Sequence, residues 1–213
     1  MSKTTIYVIR HAQSFHNIGN YEEKSHVTVG LTQEGEAQAR QLANEFCDIH
    51  LDKIYSSEYT RAYKTALTLA ENRNLEVERD STIHEKLFGD TYRNRIEESL
   101  VEMRNIFKNL SEEEKFIYSH YPDMESAKVG AMRLRDFLLK VGTMDEGKVV
   151  AVVCHGNIMR SFLNLIGWAS FEDLPEGAIK NTGYFKLEME NNEFKILETS
   201  KIEKGRKAEG RIM

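Results

Sequence analysis

Two histidines stand directly behind runs of β-branched residues. Arg10-His11 follows Thr5-Ile6-Tyr7-Val8-Ile9, and His155-Gly156-Asn157 follows Val149-Val150-Ala151-Val152-Val153. In an open parallel sheet a ligand sits beyond the carboxyl ends of the strands, so these are the first places to look for a site. Imidazole can serve there as nucleophile, proton carrier or hydrogen-bond donor. A third such place is Ser56-Ser57-Glu58-Tyr59-Thr60-Arg61, where another strand ends and an arginine enters the next helix. Each feature taken singly has a plain reading: a structural hydrogen bond for a loop histidine, a surface charge for a helical arginine. Two histidines at equivalent positions, each near an arginine, read as a site.

The elements that must position these residues alternate along the chain. Behind the first strand, Leu31-Thr32-Gln33-Glu34-Gly35 with Ala39, Leu42, Ala43 and Phe46 is helical spacing behind a Thr N-cap. Lys53-Ile54-Tyr55 is a second strand, and Ala62, Ala66, Leu69 and Ala70 mark a second helix whose small residues permit close packing on a sheet. Leu75-Glu76-Val77 is predicted as a third strand. From about Arg93 to Val141 helical stripes follow one another without a strand, first Ile96, Leu100, Met103 and Phe107, then Val129, Arg133, Phe137, Leu138 and Val141. The Val149–Val153 run reads as a central parallel strand, with Ile158, Phe162, Leu165 and Ile166 on the helix after it. Tyr184 to Met189 and Phe194 to Leu197 alternate around Asn191-Asn192 as a hairpin. The expectation is one α/β domain over 1–213: three layers, α/β/α, with a mainly parallel central sheet and a helical insertion over the active site at about 90–125. The basic stretch Lys201 to Arg211 is expected to be a solvated, frayed terminus.

Composition narrows the partners. With 213 residues and 40% hydrophobic content the chain can bury a sizeable core. A formal net charge of −5 leaves no general cationic surface for a nucleic acid or an anionic membrane, so a bound anion must meet a local positive cluster. Cys47 and Cys154 are too few for a disulfide framework, which fits reduced thiols; with no leader-like or membrane-spanning run, a cytoplasmic location is expected. None of the seven histidines pairs with a cysteine or carboxylate at metal-site spacing, so no metal or other cofactor is expected. Gly142-Thr143-Met144-Asp145-Glu146-Gly147-Lys148 is nearly a phosphate-binding loop, but Val149 replaces the required hydroxyl and a strand follows; a turn is expected instead.

Four segments in order carry a resemblance. Arg10-His11-Ala12-Gln13-Ser14, with Asn17 three on, resembles the Arg-His-Gly-Glu/Gln-Ser/Thr-x-x-Asn signature of the histidine phosphatase superfamily, the phosphoglycerate mutase-like group. Ser57-Glu58-Tyr59-Thr60-Arg61-Ala62 with Thr65 is similar to its second-arginine segment, Glu85-Lys86-Leu87-Phe88-Gly89 to its acid segment, and Cys154-His155-Gly156-Asn157 with Arg160 to its second-histidine segment. The resemblance implies a small phosphorylated substrate, with His11 as the nucleophile that becomes a phosphohistidine. Arg10, Arg61 and His155 would steady the charge on the phosphoryl oxygens. Neighbouring arginines disfavour the protonated imidazole, which keeps His11 neutral. Glu85 would give the leaving group its proton and take one back from water; burial and an incoming dianion both favour its protonated form. Asn17, Asn157 and backbone amides near Gly156 would complete the anion pocket.

The departures inform as well. Ala12 replaces the usual glycine, so a negative φ is expected there. Glu22-Glu23-Lys24 adds carboxylates where dedicated mutases are neutral, Phe88 stands in place of a tyrosine hydroxyl, and the insertion lacks their paired arginines. Hydrolysis is therefore expected over a cofactor-dependent phosphoglycerate mutase, and a complete His11, Arg61, Glu85 and His155 set over a non-catalytic phosphate-binding protein. For the wall of the pocket the candidates are Tyr118, His120, Tyr121, Phe15, His16 and Tyr21, each with ordinary packing or solvent as its alternative. Substrate identity and oligomeric state are left open.

Overall fold

The structure is a computed structural model that describes residues 2–19, 27–71 and 73–205. Its strands are β1 (Thr4–Arg10), β2 (Lys53–Ser57), β3 (Val77–Asp80), β4 (Val149–Cys154), β5 (Ile179–Glu190) and β6 (Glu193–Ile202). The helices are α1 (Gln33–Glu45), α2 (Thr60–Ala70), α3 (Gly89–Arg93), α4 (Ile96–Phe107), α5 (Glu112–Ile117), α6 (Ala127–Met144) and α7 (Gly156–Leu165). The six strands form one sheet in the order β3-β2-β4-β1-β5-β6. The first four are mutually parallel, while β5 runs antiparallel to β1 and to β6.

Strand periodicity sorts the two faces. Ile6, Val8, Val150 and Val152 point to one side, where Leu134, Phe137 and Leu138 of α6 and Ile158, Phe162 and Leu163 of α7 cover them. Tyr7, Ile9, Ala151 and Val153 point to the other, under Leu42 of α1 and Ala62, Ala66 and Leu69 of α2. The central strands are thus apolar throughout because both faces are covered. Thr32 caps α1 as predicted, accepting from the Gly35 amide at 2.9 Å. Asn191 and Asn192 both hold positive φ, 53° and 64°, as a two-residue hairpin turn demands. Among the described residues no helix is long and apolar enough to cross a membrane.

Several boundaries differ from the sequence reading, each for a local reason. The third strand begins at Val77 rather than Leu75, because it is an edge strand whose Glu78 and Arg79 face solvent and show no apolar alternation. β5 starts at Ile179, five residues before Tyr184, through a polar stretch in which Thr182 adopts φ 57°. On α6, Phe137, Leu138 and Val141 are buried as predicted, but Val129 is exposed and Arg133 forms an ion pair with Glu125 at 2.8 Å; Ala127, Gly130, Ala131 and Leu134 continue the buried stripe in their place. Gly142 to Met144 finish α6, so the turn before β4 is shorter than expected. The start of the basic stretch is not frayed: Lys201 belongs to β6 and pairs with Glu45 at 3.0 Å, and Lys204 sits 3.5 Å over the Trp168 ring. Residues 206–211 lie outside the described residues, as do Tyr21 and Glu22-Glu23-Lys24.

Candidate active site

Register places the histidines together. β1 and β4 are parallel neighbours in which Arg10 aligns with Cys154, so the next residue of each, His11 and His155, leaves the sheet side by side. The His11 amide extends the ladder to the Cys154 carbonyl at 3.0 Å. The imidazole centroids are 5.2 Å apart at 61°, edge to face. On the far side of β4, Ser56 aligns with Val153, which brings Ser57 level with Cys154 and lets its Oγ meet His155 Nε2 at 2.9 Å. Three strand ends thereby form one floor.

His11 is held in a defined state. Its Nδ1 donates to the Ala12 carbonyl at 2.7 Å, which leaves Nε2 as the nitrogen with the lone pair. That nitrogen accepts from Arg61 Nε at 3.1 Å. Burial, then Arg61 and Arg10, push the His11 pKa well below the ordinary 6.5, and burial and Arg61 do the same to His155. Both imidazoles are neutral at neutral pH. Arg61 is itself 2% exposed, lies 4.9 Å from the Tyr59 ring centroid, and has its pKa lowered to about 10 by burial. Thr65 ties helix to loop, donating to the Arg61 carbonyl at 2.7 Å and accepting from the Ala12 amide at 3.0 Å. Ala12 is not among the residues of positive φ.

Arg10 donates to the Ile179 carbonyl at 2.5 Å through one terminal nitrogen. Its Nε, and Nδ1 of His155, are buried without a hydrogen-bond partner among the described residues. A buried polar group left unmade costs about 1–3 kcal/mol, so both atoms are open to a further hydrogen bond. Gly156 makes room for this arginine: a Cβ there would stand 3.2 Å from Arg10 Nε. Gly35 serves the opposite wall, since a Cβ would lie 1.8 Å from the Gln13 carbonyl oxygen, and only glycine lets α1 press against the loop behind β1.

Asn17 sits in a short 3-10 turn behind Ser14. Its Oδ1 accepts from the Ser14 amide at 3.0 Å, the Ser14 hydroxyl at 3.1 Å and Asn181 Nδ2 at 3.3 Å, so its amide NH2 is the end left to donate into the cavity. Glu85 lies at the cavity edge, where Oε2 accepts from the Asn157 amide at 3.2 Å and Nδ2 at 3.3 Å, and Oε1 from the Ile158 amide at 3.3 Å. The carboxylate therefore occupies the N-terminus of α7. The Asn157 amide and side chain, expected to meet an anion, are engaged by Glu85 here, while Gly156 and Asn157 line the cavity together with Arg10, His11, Asn17 and Arg61. The acid segment is pinned from behind, because Glu125 accepts from the Leu87 amide at 3.0 Å and pairs with Arg133, which also donates to the His84 carbonyl at 3.2 Å.

Above this floor is a cavity of about 590 Å³, roofed by Phe88, Tyr92, Arg93, Ile96 and Leu100. Of the aromatic and histidine candidates for its wall, His16 lines it. Tyr118, His120 and Tyr121 do not: Tyr118 Oη meets His120 Nδ1 at 2.6 Å, His120 Nε2 meets Glu102 at 3.1 Å, and Tyr121 Oη meets Ser99 at 2.9 Å, so they brace α4 from outside. Phe15 is 43% exposed on the surface. Sequence reasoning missed Asn181, which donates to the His11 carbonyl at 3.0 Å from the polar start of β5. It also passed over Lys86 and Glu176 as cavity residues.

Cationic and hydrogen-bonding groups gathered at the strand ends of an α/β sheet are chemically suited to a tetrahedral oxyanion. Residues 6–201 match the histidine phosphatase superfamily (branch 1), and the chain belongs to that family. It is a phosphomonoester hydrolase of the histidine phosphatase type. It is 30% identical over 193 residues to phosphoserine phosphatase 1 of Hydrogenobacter thermophilus (strain DSM 6534 / IAM 12695 / TK-6), covering 90% of each chain. In fold it resembles a phosphoglycerate mutase from Bacillus anthracis str. Sterne, with TM-score 0.72, 20% identity, and 94% of each chain covered. It also resembles a phosphoserine phosphatase from Entamoeba histolytica in complex with 3-phosphoglyceric acid, with TM-score 0.69, 18% identity, and 92% of this chain and 96% of that one covered.

Proposed function

We propose that this chain hydrolyses small phosphomonoesters in two steps through a phosphohistidine on Nε2 of His11. The observation that carries the reading is the Nδ1 hydrogen bond to Ala12, which leaves Nε2 unprotonated beside a buried guanidinium. In the first step the Nε2 lone pair exchanges its hydrogen bond with Arg61 for a bond to phosphorus. The ester P–O bond breaks, and Glu85 gives its proton to the departing alkoxide. Arg10, Arg61, His155 and Asn17 donate to the three non-bridging oxygens, whose charge they match better in flight than at rest. In the second step water attacks the phosphohistidine, Glu85 takes a proton from it, and inorganic phosphate leaves with the imidazole neutral again.

Neither half-reaction in this scheme uses a metal ion. The test is phosphate release from a panel of monoesters with EDTA present, run beside His11→Ala. Release that persists in EDTA and disappears in the variant supports the reading. Loss under EDTA, or full activity in His11→Ala, contradicts it. Transfer between two phosphorylated acids that needs a bisphosphate primer and yields no net phosphate would make the chain a mutase instead. Phe88, with no hydroxyl to offer a retained bisphosphate, favours hydrolysis.

A further inference from the structure

The cavity holds much more than a phosphate, and one cation that lines it makes no hydrogen bond or ion pair among the described residues. Among the cationic side chains that line it, Arg10 is bonded to the Ile179 carbonyl, Arg61 to His11, Arg93 to Asp90 at 3.0 Å, and Arg160 to the Leu174 and Phe171 carbonyls. Lys86, next in the chain to Glu85, is different. Its ammonium makes no hydrogen bond or ion pair among the described residues, and its nearest described aromatic partner is the Phe88 ring at 5.5 Å. The charged groups around it are Glu85, Glu125 and Glu176, which favour the ammonium, and Arg160, which opposes it. Glu85 is already engaged by the start of α7 and Glu125 by Arg133. Withdrawal from water outweighs the rest and lowers the Lys86 pKa to about 8. A cation largely withdrawn from water with no described carboxylate at ion-pair distance costs free energy in the empty enzyme, and an anion arriving with the substrate lowers that cost.

Resting on the phosphatase reading above, we propose that Lys86 selects the substrate by binding a carboxylate on its leaving group, so that the cavity takes phosphorylated hydroxy acids and amino acids in preference to uncharged phosphoalcohols. Glu85 must reach the ester oxygen, and its chain neighbour reaches the same cavity, so the second anionic group lies within a small molecule's length of the scissile bond. A carboxylate fits better than a second phosphate. One ammonium matches one negative charge, whereas a second dianion would lack donors and face Glu176, which also lines the cavity.

The experiment compares kcat/KM for O-phosphoserine and 3-phosphoglycerate with that for glycerol 3-phosphate and phosphoethanolamine, in wild type, Lys86→Met, Lys86→Arg and Lys86→Glu. Wild type should favour the carboxylate pair. Lys86→Met should lower the ratio of the carboxylate substrates to glycerol 3-phosphate, whose leaving group is uncharged, about tenfold or more through KM, the loss expected of a charged hydrogen bond. Lys86→Arg should restore most of it, and Lys86→Glu should turn the preference toward phosphoethanolamine. Between pH 7 and 9 the wild-type ratio should fall as the ammonium loses its proton, and the Lys86→Met ratio should stay flat. Ratios that none of the three substitutions moves overturn the proposal. Calorimetric binding of O-phosphoserine to His11→Ala, with and without Lys86→Met, reads the same selection without turnover. Equal affinities there overturn the Lys86 assignment, while absent turnover with a Lys86-dependent affinity overturns only the phosphatase reading.

Discussion

At the floor of the cavity Arg61 and His11 are 2% and 3% exposed, with His155 packed beside His11 at 0%, whereas α4 buries no apolar side chain fully: Ile96, Leu100, Met103 and Phe107 are all half-buried. The floor is continuous with the two cores, so each functional side chain is braced by packing that the fold needs anyway. The roof is tied down by polar contacts instead, Ser99 to Tyr121, His120 to Glu102, and the Thr91 amide to Asp123 at 3.0 Å. On the proposed mechanism, chemistry that must be preorganised would sit where motion is most expensive, and selection of the leaving group where the structure can yield.

That contrast can be broken from either side. The largest effect is expected in the core: Phe162, fully buried against Phe185 of β5 and Phe194 of β6, should cost about 3–5 kcal/mol on Phe162→Ala, read as a shift in denaturant midpoint. Arg61→Lys keeps the charge but loses the fork that meets both His11 and the oxyanion, so kcat should drop about 10²–10³-fold with the fold intact by circular dichroism. Glu85→Gln should slow alkyl phosphates about a hundredfold and aryl phosphates much less, since only a poor leaving group needs the proton; equal slowing would remove its role as acid.

Smaller effects follow. Folding keeps His11 and His155 neutral, with their pKa values below the ordinary 6.5. The unfolded chain therefore takes up those protons first as pH falls, so stability is full above about 6.5 and declines below it. Thermal midpoints at pH 7.5 and 5.5 should show this decline, and it should be shallower in His11→Gln. The smallest change is expected in the roof: Leu100→Ala should cost under about 1 kcal/mol, because the side chain is only half-buried, yet alter KM for bulky esters. A loss in Leu100→Ala as large as that in Phe162→Ala would erase the distinction between floor and roof.

The same contrast governs what could be read from the amino acids alone. Arg10, His11 and His155 were legible because they stand at the ends of strands whose β-branched runs are unmistakable, and Arg61 because it enters the helix behind a third strand; a parallel sheet gathers such ends at one edge. Asn181 was not, because Lys180 to Gly183 are polar or small and Thr182 bends the backbone, so β5 read as starting late. The contact of Asn157 with Glu85 was not legible for a similar reason: an amide at a helix start looks like an anion site, and nothing local reveals that a carboxylate 72 positions away meets it. The roof was legible as helices but not as surfaces. Stripes such as Ile96 and Leu100 carry the same period whether they cover a core or a cavity, and Lys86 was read only as part of a motif.

The central claim is that the phosphoryl group rests on Nε2 of His11 between the two half-reactions. The most direct measurement is to quench the enzyme during turnover with a labelled monoester, hold it at alkaline pH, and locate the label by peptide mapping and phosphorus NMR. The account predicts an acid-labile phosphoimidazole on His11 at Nε2, absent from His11→Ala. Steady phosphate release with no label on the protein, or with the label on any other residue, would contradict it.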